Sequence, residues 1–420
     1  MTPEIKQRID QVCRGEVPEG YQRTILGIEP RSWNKSRIDK ICRLSSGSTP
    51  RRDAVENFNG DILWVTSGEL KRRTIWDTRE KISETAVVNS HLEIYDPGTV
   101  VIAIYGLEAA GIRGTVSIIG KQCTISQACM AFTEFKGVDN EFFYYWYLNN
   151  GQVIGLRYAQ GTKQQNLSTD IVGSFPICFP SQGEQQRIAA ILTTQDKVIE
   201  LKERRLAEKQ RQKKYLMQQL LTGKKRLPGF SGEWSFLKAK EIFQNVSDKD
   251  HNGDLPVLSS TQDKGIVPRD EVDIDIKYDT CSLVNYKKVS KGNFVISLRS
   301  FQGGIEYSTY TGLVSPAYTI LSSRKEISDE YYKQFFKSTD YINRLNVAVY
   351  GIRDGKQVSY EDFGRLRIPY PPIKEQDAIA EVLSTADHEI DLLQQDIEQE
   401  KQKKKALMQL LLTGIVRVKT

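Results

Sequence analysis

The feature that most constrains the fold is a long segment that occurs twice. Residues 180–226 match residues 371–417 without a gap, at a shift of 191 positions. Both copies begin with the pattern Pro-x-x-x-Glu-Gln-x-x-Ile-Ala-x-x-Leu and end with Leu-Met-Gln-x-Leu-Leu-Thr-Gly. A match of this length in one register is a duplication, so the chain must build the same unit twice.

Each copy is predicted to be one helix of about 38 residues, roughly 57 Å long. No Pro or Gly occurs from residue 184 to residue 222, and strong helix formers dominate the composition. Gly223 and Gly414 follow as C-terminal caps. A heptad is interrupted in both copies by a lysine, Lys213 or Lys404. We therefore predict that the two helices pair along a seam formed by Leu192, Ile199, Leu206, Leu220, Leu383, Ile390, Ile397 and Leu411.

The segment before each helix is also repeated, although more weakly. Trp33 and Ile41 match Trp234 and Ile242 at a shift of 201. Short β-branched runs such as DILWV, TVVIAIY, GTVSII, FVISL and AYTIL predict strands. EFFYYWYLNN and DEYYKQFFKSTDYINRL predict helices whose aromatic residues pack in a core. The predicted class is α+β. The predicted segments are an N-terminal arm (1–28), a first mixed domain (29–180), a first helical region (181–226), a second mixed domain (227–371) and a second helical region (372–420).

Composition limits the class of protein further. No run approaches 18 apolar residues, so we expect no membrane association. Six cysteines without a Cys-x-x-Cys pair are predicted to be reduced core thiols of a cytoplasmic protein. A net charge of +6 is compatible with a polyanionic partner.

Motifs of catalysis are not found. The sequence has no Gly-rich phosphate loop and no His-Glu-x-x-His, and its three histidines lie far apart. We therefore predict no catalytic residue, no metal and no cofactor for this chain. An enzyme acting alone remains one alternative, and a coiled-coil adaptor without nucleic-acid binding is another.

Basic and amide side chains cluster in loops of both mixed domains. Arginine reads guanine and Gln or Asn reads adenine in the major groove, while Lys and Arg also neutralise phosphate. GTKQQN and GIRDGKQ occur at equivalent loops of the two halves. The predicted DNA contacts are Arg51, Arg52, Lys71, Arg72, Arg73, Tyr105, Arg113, Lys163, Gln164, Gln165, Asn166, Arg269, Arg299, Gln302, Arg353, Lys356 and Gln357.

The chain resembles the specificity subunit of type I restriction–modification systems over nearly its whole length. PSQGEQQRIAAIL with PPIKEQDAIAEVL, the two LTG endings, and LPGFSGEW carry the resemblance. It implies two target-recognition domains and two helical regions that pair as an antiparallel coiled coil with pseudo-twofold symmetry. It also implies a non-catalytic chain that recognises a bipartite, asymmetric site in double-stranded DNA.

The resemblance implies partner proteins as well. Two methyltransferase subunits would dock on the helical regions, and restriction and translocase subunits would join through them. S-adenosylmethionine, Mg²⁺ and ATP would then belong to those partners. From KQRIDQV we expect the N-terminal arm to be a helix that braces the C-terminal end of the coiled coil.

Overall fold

The structure of the protein is a computed structural model, and it describes residues 2–104, 115–158, 167–262, 264–272, 280–298, 300–349 and 358–418. It divides into two compact units. Residues 1–201 with 397–420 form unit 1, and residues 202–396 form unit 2. Each unit therefore contains one mixed domain together with a part of both long helices.

Unit 1 combines a five-stranded sheet with smaller sheets and short helices. The five-stranded order is β4-β11-β8-β9-β6, and a second sheet has the order β10-β5-β7. Strand β3 pairs with β12, and β1 with β2. The elements are α1 (Pro3–Cys13), β1 (Tyr21–Thr24), β2 (Gly27–Pro30), β3 (Asn34–Arg37), α2 (Ile38–Ile41), β4 (Arg43–Ser46), β5 (Ile62–Val65), β6 (Thr74–Ile75), β7 (Lys81–Ile82), α3 (Glu84–Asn89), β8 (Val100–Ala103), β9 (Val116–Ile119), β10 (Cys123–Ile125), β11 (Cys129–Thr133), α4 (Asn140–Tyr158), α5 (Thr169–Gly173), β12 (Pro176–Phe179) and the start of α6 (Gln182–Leu220).

Unit 2 repeats the plan with fewer strands in the ranges that the structure describes. Its elements are β13 (Ser235–Lys238), α7 (Ala239–Ile242), β14 (Phe243–Val246), β15 (Leu258–Thr261), β16 (Gly265–Pro268), β17 (Lys287–Val289), β18 (Phe294–Ile296), α8 (Ser300–Gly303), β19 (Glu306–Tyr307), β20 (Gly312–Val314), β21 (Thr319–Ser323), α9 (Asp329–Phe336), α10 (Thr339–Val349), α11 (Tyr360–Arg365), β22 (Arg367–Tyr370) and most of α12 (Ile373–Leu412). The pair β13–β22 corresponds to β3–β12, and the order β14-β21-β18 corresponds to β4-β11-β8. The α+β class and the internal repeat are confirmed.

Aromatic helices fill the core of both units. The side chains of Phe142 and Tyr145 in α4 are completely buried beside the five-stranded sheet and the start of α6. Tyr331 and Phe336 of α9 occupy the corresponding core of unit 2. The assignment of these aromatic residues to core packing is confirmed. The run predicted as one helix is two, α9 and α10, since the helix is interrupted between Phe336 and Thr339.

The two long helices run antiparallel within each unit. In unit 2, Lys202 contacts Asp396 at 2.7 Å and Lys209 contacts Glu389 at 2.6 Å. Residue numbers thus rise along α6 in the direction in which they fall along α12. In unit 1, Gln195 of α6 donates to the Glu400 carboxylate of α12 at 2.6 Å. The antiparallel pairing is thereby confirmed. Leu206 of the predicted seam is half-buried, and the other seven seam residues are buried.

Glycines end both helices as the sequence predicts. Gly223 has φ of +70° and Gly414 has φ of +68°, which are left-handed conformations that glycine adopts without strain. Of the cysteines, Cys42, Cys123, Cys129 and Cys178 are free and buried, as core thiols should be. Cys13 is exposed, because α1 has no buried residue. The prediction of a core position is therefore wrong for Cys13.

Candidate nucleic-acid interface

Three predicted DNA contacts of the first domain present exposed cationic groups. Arg51 keeps 84% of its side chain exposed and donates at 3.0 Å to Asp53, whose side chain is 69% exposed. Lys71 and Arg72 are exposed in the segment before β6. Ser117 of β9 donates to the Arg72 carbonyl at 2.7 Å, so the backbone here is held by the five-stranded sheet. The Lys71 and Arg72 side chains are therefore accessible to a phosphate, and the protein backbone that carries them is held in place.

Arg52 is engaged within the domain. Its guanidinium donates two hydrogen bonds to the Glu80 carboxylate at 2.6 and 3.0 Å. It also lies 4.7 Å from the ring centre of Phe58 and 5.2 Å from that of Trp64. The hydrogen bonds from Arg52 lower the pKa of Glu80. Arg52 thus holds the loop around residue 52 against the strand that carries Trp64.

Arg73 joins the basic segment to two helices. Its guanidinium donates to the Tyr145 hydroxyl at 3.3 Å, and it pairs with Glu141 of α4. It also donates to the Thr193 hydroxyl of α6 at 3.3 Å and lies 3.7 Å from the Asp196 carboxylate. These contacts fix the position of the segment that carries Lys71 and Arg72.

In the second domain the structure places two of the predicted contacts. Gln302 is exposed on the short helix α8. Arg269 is half-buried at the end of β16. Gln262, which sequence reasoning missed, lies over Gly303, because a Cβ at Gly303 would come within 2.8 Å of its Cγ and 3.0 Å of its amide. The Gln262 side chain therefore lies beside the residue that follows Gln302. The only sequence signal for Gln262 is its place in the turn between β15 and β16.

The remaining predicted contacts lie outside the described residues and stay predictions. They are Tyr105, Arg113, Lys163, Gln164, Gln165, Asn166, Arg299, Arg353, Lys356 and Gln357.

The repeated Pro-x-x-x-Glu-Gln pattern connects each long helix to its own unit. Gln185 is completely buried, donates to the Pro180 carbonyl at 2.9 Å, and accepts from the Asp139 amide at 2.8 Å. Gln376 likewise donates to the Pro371 carbonyl at 2.8 Å and accepts from the Ser328 amide at 2.9 Å. The glutamine thus fixes the start of the helix against the preceding domain.

The glutamate of the pattern binds an arginine that follows the end of the other helix. Glu184 accepts two hydrogen bonds from Arg417 at 2.7 and 2.8 Å in unit 1. Glu375 accepts two from Arg226 at 2.5 and 2.6 Å in unit 2. Glu184 and Arg226 recur as Glu375 and Arg417 at the shift of 191. Helix α6 therefore supplies the glutamate in unit 1, and α12 supplies it in unit 2. The hydrogen bonds that the two arginines donate to these carboxylates raise the pKa of both arginines.

The seam lysines are partners in partly buried ion pairs. Lys404 contacts Asp196 at 2.6 Å, and both side chains are only 18% exposed. Lys213 pairs with Asp387 in unit 2. The interruption of the heptad is therefore a second repeated link between the helices, which a heptad count alone does not reveal.

The N-terminal arm contacts the C-terminal end of α12. Arg8 of α1 donates to the Ile415 carbonyl at 2.8 Å. The Tyr21 hydroxyl donates to the Gly414 carbonyl at 2.7 Å. Helix α1 is present as expected, and these two bonds tie residues 3–21 to the end of the second long helix.

Among the described residues, no group of three or more His, Cys, Asp or Glu is arranged to hold a metal ion. None of the helices in the described ranges has the length and apolarity required to cross a membrane.

The model of the "Type I restriction modification DNA specificity domain" matches residues 30–210 and again residues 232–402. The chain is similar to the type I restriction enzyme MjaIX specificity subunit of Methanocaldococcus jannaschii, with 29% identity over 44% of the chain. This match spans 42%, less than half, of that relative. The MjaVIII specificity subunit of the same organism is 23% identical over 93% of the chain and 94% of its own length.

A solved structure agrees in fold. The S subunit of a type I restriction-modification system from M. genitalium superposes with a TM-score of 0.53 at 15% identity, covering 90% of this chain and 96% of that one. The family model covers well over half of the sequence, in two tandem copies that correspond to the two units. The chain therefore belongs to the family of type I restriction-modification DNA specificity proteins.

Proposed function

We propose that this chain is the non-catalytic subunit that selects the DNA site of a type I restriction–modification complex. Each of its two target-recognition domains reads one half of a bipartite, asymmetric site in double-stranded DNA. The paired helices determine the length of the unread spacer between the two half-sites. The protein acts in the cytoplasm, where its DNA substrate lies.

One observation carries this proposal: the contacts that attach helix to domain are repeated, while the candidate recognition surfaces are not. Glu184 and Glu375 have equivalent arginine partners. In contrast, the described candidate contacts differ between the domains: the first exposes the cations Arg51, Lys71 and Arg72, whereas the second has the exposed amide of Gln302 and a half-buried Arg269. Two copies of one scaffold with different surfaces are suited to reading two different sequences.

The long helices also offer equivalent surfaces for partner proteins. Leu201 of α6 and Leu392 of α12 correspond at the shift of 191, and both are exposed. Single exposed apolar residues are common, so exposure alone assigns nothing. Their equivalent positions on the two repeated helices are what support docking of two copies of one partner. We assign them to two methyltransferase subunits, which would bring S-adenosylmethionine. Restriction and translocase subunits would add the Mg²⁺ and ATP chemistry.

Methylome sequencing tests the proposal. The chain and its methyltransferase partner are expressed together in a host without this modification system, and modified bases are mapped genome-wide. We expect one bipartite motif with a constant spacer. The control strain expresses the methyltransferase alone and should show no motif. A motif that persists in the control, or no motif in either strain, would contradict the assignment.

The alternative of an adaptor without nucleic-acid binding makes a different prediction. A DNA-specific complex binds less tightly as salt rises, because each phosphate contact releases counterions. DNA binding that is negligible at every salt concentration would favour the adaptor.

A further inference from the structure

A tryptophan in the basic segment of the first domain, residues 71–81, is directed to solvent. Trp76 is 68% exposed and is the most exposed aromatic side chain among the residues that the structure describes. An indole is costly to leave in water, since its burial removes a large apolar area. Isolated exposed apolar residues are common, so exposure alone assigns nothing. The residues around Trp76 indicate whether its indole is a contact for a partner.

The indole has a fixed position. Trp76 directly follows β6, which pairs in parallel with β9, and the Gly120 amide donates to the Ile75 carbonyl at 2.9 Å. The ring lies over Gly120: a Cβ there would come within 2.7 Å of two indole carbons. The missing side chain at residue 120 is therefore what leaves room for the ring.

Both sides of Trp76 are anchored. Arg73 binds Glu141, Tyr145 and α6 on one side. On the other side, the Thr78 hydroxyl donates to the Glu80 carbonyl at 2.7 Å and accepts from a backbone amide of β5 at 3.3 Å. The tryptophan is presented by a short, rigid edge strand, so little conformational entropy is lost when it makes a contact.

The charge around the indole indicates the class of partner. Residues 71–81 contain five basic and two acidic residues. Both acidic side chains are already paired, Asp77 with Lys81 at 3.2 Å and Glu80 with Arg52. The exposed cations of the segment and its neighbour strand are Lys71, Arg72, Arg79 and Lys121. A flat apolar ring among cations matches a nucleic-acid backbone, which alternates apolar sugars with phosphates.

We propose that Trp76 is a DNA contact of the first target-recognition domain. Its indole packs against the deoxyribose of a nucleotide whose phosphate is held by Lys71 or Arg72. This inference rests on the proposed function, because it requires the chain to bind DNA. The contact is sequence-independent: it sets the position of the first domain on the duplex, while other side chains read the bases.

The test measures DNA affinity of the full chain assembled with its methyltransferase partner. Trp76→Ala should weaken binding by roughly 10- to 50-fold, as expected for the loss of one buried aromatic contact. The salt dependence should stay unchanged, because no cation is removed. Lys71→Ala should instead reduce the salt slope by about one phosphate contact.

Matched variants keep the test specific. Val88→Ala removes an equally exposed apolar side chain of the same domain and should leave affinity unchanged. Trp76→Phe keeps a ring and should recover most of the affinity. Gly120→Ala keeps the tryptophan but displaces its ring, so binding should weaken as in Trp76→Ala.

The outcomes separate the two proposals. If wild-type complex binds its bipartite site and Trp76→Ala binds within twofold of it, the role of Trp76 is refuted and the proposed function stands. Another outcome is that less Trp76→Ala assembles with the methyltransferase, but the fraction that does assemble binds DNA as tightly as wild type. The indole is then a protein contact, and the inference is refuted. If the wild-type complex selects no DNA site, the proposed function itself fails.

Discussion

Replacing Arg226 with methionine removes the two hydrogen bonds that hold the carboxylate of Glu375. That carboxylate is completely buried, and its other hydrogen bond comes from the Trp234 indole at 3.0 Å. Methionine matches the length of the arginine stem but offers no donor. The buried charge must then be tolerated or neutralised, and either route costs free energy in the folded state.

The magnitude follows from the burial of the two partners. Breaking a fully buried pair by removing one partner costs about 3–5 kcal/mol. Arg226 is 23% exposed, so water can replace part of its hydrogen bonding, and the Trp234 donor remains. We therefore expect a loss of about 3 kcal/mol, at the lower end of that range. Arg226→Lys keeps the charge but loses the paired geometry, so its loss should be smaller.

Urea unfolding followed by tryptophan fluorescence measures this loss, because Trp234 lies in the same cluster. The free energy of unfolding should fall for Arg226→Met, and the equivalent Arg417→Met should destabilise unit 1 in the same way. Arg14→Met is the control, since Arg14 and Glu16 form an ion pair that is exposed on both sides. If Arg226→Met changes the unfolding midpoint no more than Arg14→Met does, the link between Glu375 and the helix end is not stabilising, and the reasoning fails.

Further predictions concern the seam, the helix end and the buried thiols. A double-mutant cycle with Lys404→Met and Asp196→Asn should give a coupling energy of about 1–2 kcal/mol, and a value near zero would show that the lysine only interrupts the heptad. Gly414→Ala should destabilise the fold by about 1–3 kcal/mol in the same urea assay, because its backbone is left-handed and a Cβ would come within 2.5 Å of Pro30; unchanged stability would mean that the helix end is not packed. Burial raises the pKa of Cys129 to about 12, so its thiol should stay unlabelled by iodoacetamide at pH 8 until the protein is unfolded, as peptide mapping by mass spectrometry would show; rapid labelling in the native protein would contradict its burial.

The sequence predicts the long helices well because their signals are local. The absence of Pro and Gly and the capping glycines place both helix ends within about two residues of those observed. Periodicity likewise places the seam, whose apolar positions are mostly buried. These features depend on neighbours within a few turns, which a single sequence contains.

Interactions between distant residues could not be predicted in this way. Lys404 looks like a defect in the heptad until Asp196 is seen beside it. Arg73 has the same sequence signature as Arg72, one residue earlier, yet only Arg73 meets Glu141 and α6. A loop arginine that binds DNA and one that binds its own protein have the same residue type. What separates them is the tertiary position of carboxylates far away in the chain.

Asp196 and Asp387, the partners of the seam lysines, show which contacts between helix and domain are repeated and which differ between the units. Asp196 accepts from the Tyr145 hydroxyl at 2.6 Å, and the equivalent Asp387 accepts from the Gln334 amide at 2.7 Å. On the helical side both aspartates bind the same residue type, a seam lysine. On the domain side a phenol and an amide fill the same role, because each needs only to present a donor to a carboxylate. A recognition domain can therefore change extensively while it keeps its attachment to the helices, provided that one donor reaches this position.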